Sequence, residues 1–136
     1  MNIALLSHDS KKELMVQFCI AYKGILAKHN LCATNTTGRM VREATDLPVT
    51  LYLSCTQGGN EQILAKIAYD ELDMVLFMAD PLVRDQNRRD EVAQIMSMCD
   101  QYNVPFASNI ATAELLILGL NRGDLEWREI MHMRNE

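Results

Sequence analysis

Short apolar runs alternate with longer segments of helical period along the whole chain. "IALLS" (3–7), "LCA" (31–33), "VTLYLS" (49–54), "DMVLFMA" (73–79) and "VPFAS" (104–108) are compact and apolar, and predict five strands. Residues 11–29 place Leu14, Phe18, Tyr22, Ile25 and Leu26 on one helical face. Further helices are predicted over 39–45, 62–71, 90–102, 112–120 and 124–133, the fourth of the six carrying Val92, Ile95, Met96 and Cys99 on one side. "TNTTG" (34–38) reads as a polar turn and residues 80–89 as a polar loop.

Continuously apolar strands are buried on both faces, and their alternation with helices argues an α/β fold. The expected architecture is a single three-layer domain over 1–136, a five-stranded, mainly parallel sheet flanked by helices. In such sheets ligands bind beyond the carboxyl ends of the strands. The segments that follow the five strands here are "HDSKK", "TNTTG", "CTQGGN", "DPLVRDQN" and "NIAT", all polar.

Composition narrows this picture only slightly. The chain is 49% hydrophobic and carries a net charge of −5, which fits one full-sized core and disfavours a nucleic-acid polymer as partner. No apolar stretch approaches the roughly 20 residues of a membrane span, and the start reads as a strand rather than a signal peptide. The four cysteines form no C-x-x-C pair and read as reduced thiols of a cytoplasmic protein.

Two loops carry candidate chemistry. In "ATNTTG", Thr34, Asn35, Thr36, Thr37 and Gly38 could form a concave nest of donors for phosphate; the alternative is an ordinary turn with a threonine N-cap. "SCTQGGN" repeats the design, with Ser54, Cys55 and Thr56 followed by Gly58 and Gly59, which allow close backbone approach. After the first strand, Lys12 could reach a phosphate as a point charge, while Asp9 could cap a helix and His8 could be structural. Asp80 ends the most apolar strand, and Asp90 is the expected cap of the helix after the 80–89 loop. His29 and His132 fall at helix ends, and no zinc-ligand spacing stands out.

Taken together, "IALLSHDSKK", "ATNTTGRMVREAT", "LSCTQGGNEQI", "DMVLFMADPL", "VPFASNIATAE" and "NRGDLEWREI" resemble the methylglyoxal synthase family in order and spacing, over nearly the whole chain. The resemblance implies a five-stranded parallel sheet, a homohexamer, and elimination of phosphate from dihydroxyacetone phosphate without metal or cofactor. Related domains use the same fold to bind effectors without catalysis. The family pattern matches His8, Asp9, Lys12, Thr34, Thr36, Thr37, Gly38, Ser54, Gly58, Gly59, Asp80 and Asp90. It departs at Asn35, Cys55 and Thr56, and at two weightier positions. Asn60 stands where the resemblance places the catalytic aspartate, and Asn87 where it places the active-site histidine. Met96 also replaces an arginine. An amide cannot act as the general base, a role typically worth about 10²–10⁴-fold. Glu61 lies about 100° further round the helix and is not expected to replace it.

These losses lead the sequence reading to expect a catalytically impaired protein. It would bind a phosphorylated small molecule or nucleotide-derived signal in the former active-site cleft, as sensor, regulator or sequestering sponge. The alternative is an active methylglyoxal synthase, with Asp9, Asp80 and Asp90 as the remaining carboxylates.

Overall fold

The computed structural model describes residues 1–54 and 57–135, with side chains described as far as Met131. Its sheet has five strands, β1 (Asn2–Ser7), β2 (Asn30–Thr34), β3 (Val49–Tyr52), β4 (Met74–Met78) and β5 (Phe106–Ala107), in the order β3-β2-β1-β4-β5. Every pairing is parallel, with Ile3 opposite both Leu31 and Met74. The expected α/β sheet flanked by helices is therefore present, and all of it is parallel.

The helices are α1 (Lys12–Ala21), α2 (Lys23–Leu26), α3 (Asn35–Thr45), α4 (Gly59–Ala68), α5 (Gln86–Gln101), α6 (Ile110–Arg122) and α7 (Glu126–Asn135). Strand side chains alternate between faces, and this splits the core in two. Ile3, Leu5, Ala33 and Leu76 pack with Met15, Phe18 and Cys19 of α1, Val41 of α3 and Ile117 of α6. Ala4, Leu6, Cys32, Val75 and Phe77 pack with Ile63 and Ile67 of α4 and with Ile95 and Cys99 of α5. The helices thus cover both faces of the sheet.

Several boundaries differ from the sequence reading. The 11–29 segment divides near Tyr22 into α1 and α2, and Met15 and Cys19, rather than Leu14, are among its fully buried residues. "TNTTG" is not a free turn: Thr34 is extended and α3 begins at Asn35, so the threonines form the helix's first turn. α5 begins at Gln86 instead of residue 90. Its cap is Asp85, whose carboxylate accepts from the Asn87 amide N–H at 2.9 Å, and Asp90 lies within the helix. Met96 is exposed and does not share the buried face of Ile95 and Cys99. Cys19, Cys32 and Cys99 are buried free thiols. Burial pushes Cys19 and Cys99 up to about 12, and Cys32 up to about 11.

Candidate active site

β1 is the strand at which the sheet order reverses, with β2 and β3 on one side and β4 and β5 on the other. Beyond its carboxyl end the flanking connections must diverge, and a crevice results. A cleft of about 480 Å³ opens there. Ser7, His8, Asp9, Ser10 and Lys12 line it from the β1 side, and Thr34, Thr36 and Thr37 from the start of α3. Ser54 follows β3, Phe77, Asp80 and Val83 come from the end of β4, and Arg88 and Glu91 from α5.

The start of α3 supplies the cleft's electropositive wall. Thr34 precedes the helix in extended backbone, and its side chain makes no cap bond to it. The first-turn amide N–H groups, which have no partner inside the helix, and the positive end of the helix dipole therefore stand at the cleft. Ser7 and Thr37 share a buried hydroxyl hydrogen bond of 3.0 Å, which ties α3 to the tip of β1. Lys12 adds a cation, held 2.8 Å from Asp9. That bond, with Lys12's charge, holds the Asp9 carboxyl below the usual range.

His8 joins the opposite wall. Its Nδ1 accepts from the Asp80 amide N–H at 2.8 Å, so that nitrogen carries the lone pair and the neutral ring carries its proton on Nε2. Nε2 lies 3.4 Å from the Arg88 carbonyl, and the ring meets Phe77 edge-on at 5.1 Å. Asp80 is engaged at both oxygens. Ser10 donates to Oδ2 at 2.8 Å and the Leu82 amide to Oδ1 at 2.9 Å, and these two bonds hold its carboxyl below the usual range. On α5, Arg88 Nη1 meets Glu91 Oε2 at 3.2 Å across one helical turn. Among the described residues no three His, Cys, Asp or Glu side chains form a group that could hold a metal ion.

The sequence pattern of the MGS-like domain matches residues 14–108. The chain belongs to the MGS-like family. A relative from Caldicellulosiruptor saccharolyticus, named methylglyoxal synthase, is 57% identical over 132 residues, which are 97% of this chain and 93% of the relative. Another of that name from Oceanobacillus iheyensis is 48% identical over 136 residues, 100% of this chain and 96% of the relative. The crystal structure of methylglyoxal synthase from Elizabethkingia anophelis is similar at a TM-score of 0.75 and 32% identity, covering 85% of this chain and 76% of that one. These names favour the catalytic alternative over the binding-only expectation drawn from the sequence.

Of the residues carried over from the family pattern, His8, Asp9, Lys12, Thr34, Thr36, Thr37, Ser54 and Asp80 line one cleft. Others have different surroundings. Gly38 faces the sheet, where a Cβ would stand 2.3 Å from Leu51 Cδ2 and 3.2 Å from Ala33 Cβ, so packing requires this glycine. Gly58 has φ +104°, and a Cβ on Gly59 would lie 2.1 Å from the Leu53 carbonyl oxygen. The pair folds the loop back on Leu53 and Ser54. Asn60 is buried in the first turn of α4, and neither it nor Asn35 is among the cleft's lining side chains. Cys55 and Thr56 lie outside the described residues.

Asn87 and Asp90 are exposed on α5, where Asp90 accepts from Gln86 Nε2 at 2.8 Å. Instead, Arg88 and Glu91 face the cleft, and the sequence reading missed both, together with Ser7 and Ser10. A signal was present: Arg88 and Glu91 are three apart, like Val92 and Ile95, and share the inner side of α5.

Proposed function

We propose that this chain is a methylglyoxal synthase, converting dihydroxyacetone phosphate to methylglyoxal and inorganic phosphate. One observation carries the reading: the α3 N-terminus, Lys12 and three carboxylates share a single cleft at the sheet's switch point. The names of the relatives support it. The substrate's phosphate sits at the α3 N-terminus, with the hydroxyls of Thr34, Thr36 and Thr37 and the ammonium of Lys12. Lys12 can turn to it because its partner Asp9 is 91% exposed, and exposed ion pairs hold weakly. A carboxylate takes a proton from the hydroxymethyl carbon, and the electron pair moves onto the carbonyl oxygen. The His8 Nε2–H is a donor for that oxygen. The enediolate then expels phosphate by breaking the carbon–oxygen bond, and the enol product tautomerises to methylglyoxal.

Incubation of the protein with dihydroxyacetone phosphate should release methylglyoxal and phosphate in equal amounts. Lys12→Met should weaken saturation at least about tenfold, the order expected for one charge-assisted contact. Absence of both products would overturn the reading.

A second reading, binding without turnover, is favoured by the amide of Asn60 where the family pattern has its base. Calorimetry showing tight phosphate binding with no product, and product appearing in Asn60→Asp, would establish it in place of the first. The exposed apolar side chains of α6 and α7, Leu115, Leu118, Trp127, Ile130 and Met131, support self-association, which the resemblance implies as a hexamer.

A further inference from the structure

Three carboxylates line the cleft, and they are not equivalent. Asp80 has Ser10 on one oxygen and the Leu82 amide on the other, both at hydrogen-bond distance. Both bonds favour the ionised carboxylate and hold it in the β4–α5 connection, which makes Asp80 the weaker proton acceptor. Asp9 is held by Lys12, and its side chain is 91% exposed, so water competes for whatever it does not give to the ammonium. Glu91 differs from both. Its side chain is only 20% exposed, it sits on a regular helix, and its ion pair with Arg88 uses Oε2. Among the described residues Oε1 has no hydrogen-bond partner. The neighbouring Arg88 guanidinium puts a positive charge in the same cleft, where it can stabilise a developing enediolate.

We propose that Glu91 is the catalytic base of this chain, doing from α5 what the Asn60 amide on α4 cannot do. The inference rests on the methylglyoxal synthase reading. Glu91 takes the proton from the hydroxymethyl carbon, and the carbon–hydrogen electron pair becomes the enediolate. Loss of phosphate then uses that electron pair: the carbon–oxygen bond to phosphate breaks, the hydroxymethyl oxygen becomes the aldehyde oxygen, and its hydroxyl proton leaves with the phosphate. The protonated Glu91 returns its proton to the terminal carbon of the enol, so the carboxylate is regenerated and no other reactant is consumed. Arg88 is a positioning residue that holds the Glu91 carboxylate toward the cleft.

The test is the exchange of the substrate's hydroxymethyl hydrogens with deuterium oxide, followed by NMR alongside phosphate release. The wild-type protein should exchange and release. Glu91→Gln should slow both by about 10²–10⁴-fold, the usual contribution of a positioned base. Glu91→Asp should recover part of the rate. Calorimetric binding of inorganic phosphate should be unchanged in both variants, which shows that the cleft has kept its fold. Wild-type exchange with Glu91→Gln at the same rate would overturn the assignment of Glu91 and leave the reaction standing. No exchange and no phosphate release by the wild type would overturn both.

Discussion

Replacing Arg128 with methionine keeps a long apolar stem and removes a guanidinium that is 3% exposed. That guanidinium fastens α7 to the amino-terminal end of β4. It donates to the Asn103 carbonyl, to the Leu72 carbonyl at 3.3 Å and to Asp73 Oδ1 at 3.4 Å, and lies 3.5 Å from Asp70 Oδ1. Removing one partner of a buried ion pair generally costs about 3–5 kcal/mol. The low end applies here. Asp73 is not stranded, because it keeps the Asn2 amide N–H at 2.8 Å, and Asp70 is half exposed to water. The buried Leu72 carbonyl loses its donor, a loss that costs about 1–3 kcal/mol, while the exposed Asn103 residue can turn to water. The expected destabilisation is about 3 kcal/mol, equivalent to about 10 °C in melting temperature for a chain of this length. Trp127, the only tryptophan, is half exposed with the Arg128 guanidinium 5.7 Å from its ring centroid, so its fluorescence reports α7. Urea unfolding followed by that fluorescence and by circular dichroism, at fixed protein concentration, gives the value. A loss below about 1 kcal/mol with an unchanged slope would refute the claim that Arg128 holds α7 down.

Gly38→Ala sets a gain of about 1 kcal/mol in helix propensity against an overpacking cost of about 1–3 kcal/mol. Leu51 can swing aside but Ala33, in β2, cannot, so thermal melts should show a net loss of about 1 kcal/mol, and a stabilised variant would contradict the packing argument. His29 is held below its usual pKa by burial and by the Met1 ammonium, whose nitrogen lies 3.0 Å from Nδ1. The native state therefore binds the His29 proton less readily than the unfolded chain, and this contribution to stability is complete above the unfolded value of about 6.5 and is lost as pH falls through the native one. Melting temperature should drop between about pH 7 and 5, and His29→Gln should flatten the drop. Cys19 and Cys99, buried and pushed up to about 12, should resist a thiol reagent at pH 8 until urea unfolds the chain; rapid native labelling of either would contradict their burial.

The strands were legible because each is a short apolar run, and the loops at their carboxyl ends were legible because donors, glycines and charges concentrate there. Helix starts were harder to read. Thr36 and Thr37 look like turn residues, yet a helix's first turn tolerates them once Thr34 is extended at the end of β2. At α5 the polar run 80–89 conceals a cap at Asp85, and moving the start from residue 90 to Gln86 rotates the meaning of every position after it.

The sequence by itself determined the α/β class, the family, and the set of polar loops beyond the strand ends, because these depend on local period and on residue types at fixed spacing. Tertiary structure alone decided which side chains meet. Strand order, which no local pattern encodes, placed the ends of β1, β2 and β4 around one crevice. Helical phase, set by the Asp85 cap and the packing of Ile95 and Cys99, turned Arg88 and Glu91 into that crevice and left Asn87 and Asp90 in water. A step of one residue moves a side chain about 100° around a helix, so adjacent residues of similar chemistry have different neighbours once the helix is docked.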